Sequence, residues 1–478
     1  MFLGLDLGTS ALKGVLIDAA QAVLAEAAAP LTVSRPAPGW AEQAPHHWLA
    51  AAETVLEALA ARDLAGVQGI GLSGQMHGAT LIDAAGEVIR PCILWNDTRA
   101  AVEAADLDGD PMFRRLTGNI VFPGFTAPKL VWLSRHEPAA FARIARVLLP
   151  KDYLRLWLTG EAASDPSDAA GTAWLDTGGR DWSDALLAAT GLARHQMPGL
   201  VEGPAVSGGL RAGLAARWGL RPGIPVAGGA GDNAAAAIGL GVTGPGQAFV
   251  SLGTSGVLFA ATEGYAPAPD TAVHTFCHAL PGRWHQMGVI LAATDALNWF
   301  ARLVGTDPAA LTAGLGPLRP PGEALFLPYL GGERTPWNDA RLRGGFAGLG
   351  HATDRDAATR AVIEGVAFAL RDCRDALAAT GTRIDRLVAT GGGARSDYWL
   401  ACLAAALGVP VARPAAGGQG AAFGAARLAL MAATGAGAEA APPPAIDRSF
   451  EPDPALVPAF DAGHARFRAA AAALRSLP

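Results

Sequence analysis

Lysine is almost missing from this 478-residue chain: Lys13, Lys129 and Lys151 stand against 34 arginines. Where guanidinium is so dominant, a retained ammonium marks a place that needs a compact charge, and Lys13, inside a phosphate-type turn, is the first candidate. Cysteine is scarce as well. Cys92, Cys277, Cys373 and Cys402 show no paired spacing, which argues against a disulfide scaffold and for reduced, buried thiols. No basic block accompanies the formal net charge of -6, so nucleic acid is not the expected partner. Long apolar runs are also lacking, although 51% of the residues are hydrophobic, because 60 glycines and 34 prolines interrupt them. The longest uncharged run, between Asp232 and Glu263, is rich in turn formers, so no membrane span is expected. The first residues have neither the basic region nor the apolar stretch of a secretory signal, and Asp6 would interrupt one, which predicts a cytoplasmic protein. No Walker-type lysine motif is present, excluding the P-loop route to a nucleotide.

The length calls for two lobes with a cleft between them. Phe2–Leu7 predicts a buried strand, Gly8-Thr9-Ser10 a small-residue turn, and Ala11–Asp18 a second strand, a hairpin whose turn can offer N–H groups and hydroxyls to a phosphate. The device recurs after the midpoint, where Gly253-Thr254-Ser255 joins Ala248–Leu252 to Gly256–Phe259. Two copies predict an internal duplication, with one domain over residues 1–242 and a second over 243–478. Gly223–Asp232 predicts a strand entering a glycine turn and then a helix. Asp385–Thr390 predicts another, entering Gly391-Gly392-Gly393-Ala394 before a helix over 397–407, as in many nucleotide sites. Residues 435–444 predict a connector ahead of a final helix carrying Phe460 and Phe467.

Asp232 follows four small residues and precedes Asn233, so a substrate can approach it closely while the amide orients it; a helix cap is the plain alternative. Asp6, beside the first turn, can hold a hydrated magnesium ion, or else only bond its own loop. Gln75-Met76-His77 offers an amide, an apolar face and an imidazole to a polyhydroxy ligand, with Trp95, Asn96 and Asp97 as further walls. His274 and His278 are four apart, but no second ligand pair accompanies them and Phe276 suggests a strand, so packing near the cleft is expected rather than a metal.

The ordered segments 72–80, 93–97, 122–130, 149–156, 167–172 and 326–336 together resemble the FGGY family of carbohydrate kinases over nearly the whole chain, closest to its bacterial pentulose kinases. The resemblance implies a duplicated, actin-like (ribonuclease H-like) α/β ATPase fold around a central cleft. It also implies phosphorylation of D-xylulose from ATP and Mg2+, or else of a related pentulose or polyol. Asp232 is then the base, with Asp6 and Asp232 the carboxylates at the metal and Gln75, Met76, His77, Trp95, Asp97 and Asn233 at the sugar. Gly8, Thr9, Ser10, Lys13, Gly253, Thr254, Ser255, Gly392, Gly393 and Ala394 meet the nucleotide. The chain departs from the family's usual pattern at 291–299 and 417–424. Relatives are often homodimers, though no heptad or exposed apolar helix fixes an interface here. A non-catalytic actin-like switch would share the two phosphate turns but would not need Gln75–Gly78 or Asp232; a sugar-binding regulator would lack the base or one turn.

Overall fold

The computed structural model describes residues 1–415 and 420–476, so residues 417–419 of the second departing segment lie outside the described residues. Phe2–Leu7 (β1) and Ala11–Ile17 (β2) form the expected hairpin, with Leu7 opposite Leu12, and Val23–Pro30 (β3) extends it antiparallel. The helix Pro45–Leu59 (α1) buries Trp48, Ala52, Val55, Leu56 and Leu59 against this meander. Gly69–Gly74 (β4) runs parallel to β1, and beyond it lie Pro225–Ala227 and Val206–Gly209. Taking Val206–Gly209 as β5 and Pro225–Ala227 as β6, the strand order is β5-β6-β4-β1-β2-β3. Between β4 and β5 the chain forms Pro150–Thr159 (α2), and after β6 it enters Asp232–Gly239 (α3).

The second sheet repeats this plan. Gly246–Leu252 (β7), Gly256–Thr262 (β8), His274–Cys277 (β9), Trp284–Ile290 (β10), Ile384–Thr390 (β11), Val411–Pro414 (β12) and Ile446–Phe450 (β13) assemble in the order β9-β10-β8-β7-β11-β12-β13. In both sheets an antiparallel three-strand meander is continued by two parallel strands, β3-β2-β1-β4-β6 in one and β10-β8-β7-β11-β12 in the other. This is a duplicated, two-domain actin-like α/β fold. The edge strand β13 was not expected: four of its five residues are exposed, so no apolar alternation announces it. β9 is a strand as foreseen, but all four of its residues are buried rather than alternating.

Helices Thr294–Leu303 (α4), Arg355–Ala378 (α5) and Asp397–Leu407 (α6) serve the second sheet. Ala421–Thr434 (α7) does not stay there: it lies across β1 and β4 of the first sheet and against α3. Small residues allow this approach. A Cβ on Gly71 would run into the Ala425 carbonyl oxygen, and one on Gly424 into that of Ala235. The two halves therefore meet through alanine and glycine backbones at their centre. Val457–Arg475 (α8) closes the fold, with Phe460 and Phe467 buried.

Candidate active site

The first turn is tight, with Gly8 N–H bonded to the Ala11 carbonyl at 3.0 Å. Its Thr9 hydroxyl already has two partners: it donates to Gln75 Oε1 at 2.9 Å and accepts from Trp95 Nε1 at 3.0 Å. The Gln75 amide is completed by Gln43, its Nε2 donating at 3.0 Å, and the side chain is buried. Gln75 thus ties the first turn to the wall behind it. Asp97 is engaged in the same way. It is buried, accepts from Ala41 N, and forms a two-pronged pair with Arg99 at 2.9 and 2.7 Å, so its lone pairs serve the loop. Trp95 by contrast is 48% exposed, and the neighbouring Asn96 Oδ1 has no partner.

Lys13 lies opposite Asp6 in the β1–β2 register and is exposed. Both residues, with Glu26 and the first turn of α7, line a cavity of about 460 Å³. The second turn is held from below by α4: Gly253 O accepts from Thr294 N and Oγ1 at 2.9 and 2.7 Å, and Thr254 O accepts from Ala293 N at 2.8 Å. The departing segment 291–299 therefore buttresses the second turn. Its Thr294, Leu297 and Asn298 also face Gly392 and Gly393 across a cavity of about 570 Å³, while Ala394 borders a neighbouring one with Arg395 and Arg413. Gly391, at φ +86°, passes so close to Leu252 that a side chain would not fit.

Asp232 is the first residue of α3. Its Oδ1 accepts from Asn233 N at 2.7 Å and Asn233 Nδ2 at 3.0 Å, so Asn233 orients this carboxylate. Burial, and then the charge of Asp6, push the Asp232 carboxyl up to about 6, against the pull of the Asn233 bonds. Asp6 is likewise pushed up by burial, despite Ser73 and Lys13, and its Oδ1 has no partner among the described residues. Two neighbouring carboxylates with an orphaned oxygen suit a small divalent cation that keeps most of its ligands as water and phosphate oxygens. Among the described residues no set of three or more metal-ligating side chains occurs.

The backbone leading to Asp232 is braced by charges that are themselves fully buried. Gly231 N–H donates to Ser167 Oγ at 3.1 Å, Ser167 bonds Asp165, and Lys151 Nζ lies 2.6, 2.7 and 3.0 Å from Asp152, Asp165 and Asp168. Arg155, also fully buried, donates to the Ala227 and Gly228 carbonyls. Of the three lysines, Lys151 and Lys129 are buried and Lys13 is exposed.

Met76 packs against the turn before Asp232, its Cγ 2.9 Å from where a Gly231 Cβ would stand. His77 adopts φ +70°, held by Lys129 Nζ and Thr126 Oγ1 on its carbonyl oxygen at 2.8 and 3.1 Å. Its ring stacks on Phe125 at 4.8 Å, and Nδ1 lies 2.6 Å from the Gly171 carbonyl. Burial lowers the imidazole to about 3, so the ring is neutral with its proton on Nδ1, leaving the Nε2 lone pair to accept from a hydroxyl. From the second sheet, His274 and Phe276 close on this ring and on Phe122 and Phe125, and Arg334 lies over Phe122. Arg334 and the Lys151 brace were not foreseen; only the 326–336 segment, without a role for any residue, pointed to the first.

A duplicated fold with two phosphate turns, a paired carboxylate and an imidazole wall is matched by two adjoining family models. The N-terminal domain of the FGGY family of carbohydrate kinases covers residues 1–239, and its C-terminal domain covers 248–433. The chain belongs to the FGGY family of carbohydrate kinases. Within this family it is 49% identical over 437 residues to the xylulose kinase of Escherichia coli, spanning 91% of this chain and 90% of that protein. A crystal structure from Brucella ovis, described as a xyloylose kinase, is 60% identical with a TM-score of 0.99 over all of both chains. The xylulose kinase structure from Rhodospirillum rubrum is 32% identical, with a TM-score of 0.92 over 99% of each chain.

Proposed function

We infer that this chain is an ATP-dependent kinase that phosphorylates D-xylulose at O5, with Asp232 as the base. The pairing of Asp232 with Asp6 carries the chemistry: one carboxylate, oriented by Asn233 and with a pKa of about 6, is ionised at neutral pH yet basic enough to take a hydroxyl proton. The acceptor is chosen by the full-length similarity to xylulose kinases. Met76 and the neutral His77 bind the sugar, and Trp95 supplies a flat face beside the first turn. Gly8, Thr9, Ser10 and Lys13, with Gly253, Thr254 and Ser255, meet the ATP phosphates through backbone N–H groups and charge, and Gly392, Gly393 and Ala394 lie along the nucleotide. Magnesium, held by Asp6 and Asp232 through its hydration shell, would offset phosphate charge when bound. Asp232 takes the O5 proton as the terminal phosphoryl group is transferred in line. Both substrates are small molecules, and no helix among the described residues is long and apolar enough to cross a membrane.

The test is coupled ADP release with Mg-ATP across D-xylulose, L-ribulose, D-ribulose, glycerol and D-arabinitol. D-Xylulose is expected to give the highest kcat/KM. Another winner would replace the substrate assignment, and ATP use indifferent to every acceptor would remove the kinase reading.

A further inference from the structure

The acceptor atom has a chemical consequence. O5 of a 2-ketopentose is the oxygen that closes its furanose ring, so a molecule phosphorylated there must be open-chain, with a bare carbonyl at C2. A carbonyl oxygen only accepts hydrogen bonds. The carboxylate end of the site, Asp6 and Asp232, cannot serve it, and the C2 group lies three bonds from C5, toward the opposite wall.

We propose that Arg334 is the donor that receives this carbonyl, making the site selective for open-chain ketoses over polyols of equal length. The proposal rests on the D-xylulose kinase reading and deepens it. The Arg334 guanidinium stands 4.5 Å over the Phe122 ring, and its one polar contact among the described residues is a long 3.4 Å approach to His274 Nε2. It forms no ion pair there. The adjacent carboxylate that would neutralise it, Glu333, turns away to accept from Leu291 N and Arg334 N at 2.9 and 2.8 Å. A guanidinium carries five N–H donors in a fixed fork, so most of its capacity is left open. Its surroundings do not compete for an acceptor: burial keeps His274 and His77 neutral, and the charge of Arg334 lowers both further. The site is thus polarised, with cationic Arg334 at the imidazole wall and carboxylates at the other end. A ketose aligned with this field puts its electron-rich C2 oxygen toward Arg334 and its terminal hydroxyl toward Asp232.

The experiment is calorimetric binding of D-xylulose and of xylitol, the matched polyol, to the full chain and to Arg334→Met and Arg334→Lys. Methionine keeps the apolar contact with Phe122 but removes every donor. It should weaken D-xylulose binding by about 10- to 100-fold, the range for a hydrogen bond to a charged group, and change xylitol binding by less than about threefold. Lysine keeps the charge and the aromatic contact and should retain part of the ketose preference. Parallel loss of both ligands in both variants would make Arg334 a structural clamp and overturn the proposal, as would unchanged ketose binding. A wild-type chain that binds and turns over neither ligand would instead defeat the kinase reading beneath it.

Discussion

If Asp232 accepts the O5 proton, its own titration must appear in the rate. The carboxyl is held at about 6 by burial first and by the Asp6 charge second, so its basic form dominates at pH 7 and is depleted below pH 6. Sign and size follow: kcat/KM for D-xylulose should fall as pH drops through 6, losing about tenfold between pH 7 and pH 5, with no matching loss from pH 7 to 8. Asp6→Asn removes the like charge that helps hold the carboxyl up, so the acid limb should move to lower pH while the maximal rate drops with the loss of a metal-side carboxylate. Asp232→Asn keeps the shape of the side chain but cannot take a proton, and kcat should fall by about 10²- to 10⁴-fold. Coupled ADP release over pH 5–8 reads the rates, and calorimetry with D-xylulose shows that the asparagine variant still binds sugar. A rate flat down to pH 5, or an Asp232→Asn enzyme retaining more than about a tenth of kcat, would remove Asp232 from the proton's path.

Two further perturbations probe the supports of the site. Lys151→Met leaves Asp152, Asp165 and Asp168 buried beside Arg155 alone, and breaking such a network should cost about 3–5 kcal/mol, read as a lowered midpoint in urea; an unchanged midpoint would show that the carboxylates neutralise themselves. Trp95→Phe keeps a flat face but removes the N–H bonded to Thr9, so the KM for ATP should rise by about two- to tenfold with the D-xylulose KM little changed; a rise confined to the D-xylulose KM would assign Trp95 to the sugar alone.

The two Gly-Thr-Ser turns and the Asp232 helix were legible because they are local. Each is a strand, a small-residue turn and a following strand or helix within a dozen residues, and the duplication showed the pattern twice. The partners of Gln75 and Asp97 were not legible, for the complementary reason. Their residue types suit a sugar wall, but the partners that engage them, Thr9 and Gln43 for one and Ala41 N with Arg99 for the other, are decided by folding. A polar side chain's sequence neighbours do not reveal whether its lone pairs are already occupied. The edge strand β13 was missed because, exposed along most of its length, it has no buried alternation to display.

Arg334 is the sharper case. It comes from the second half of the chain and reaches Phe122 of the first, beside His274 on β9, so its environment exists only once the two sheets have docked. That docking has its own hydrogen bonds: Asn119 Nδ2 donates to the Thr275 carbonyl at 2.9 Å, and Thr275 N–H donates to Asn119 Oδ1 at 3.0 Å. The first half thus holds β9 by its backbone, fixing His274 and Phe276 against His77 and Phe125. The imidazole wall is therefore a product of the interface between halves, whereas each Gly-Thr-Ser turn belongs to a single half. This separates the determinants physically. Substitutions in the turns should act mainly on ATP, while those at the Asn119–Thr275 junction should reach the sugar through the imidazole wall without touching either substrate.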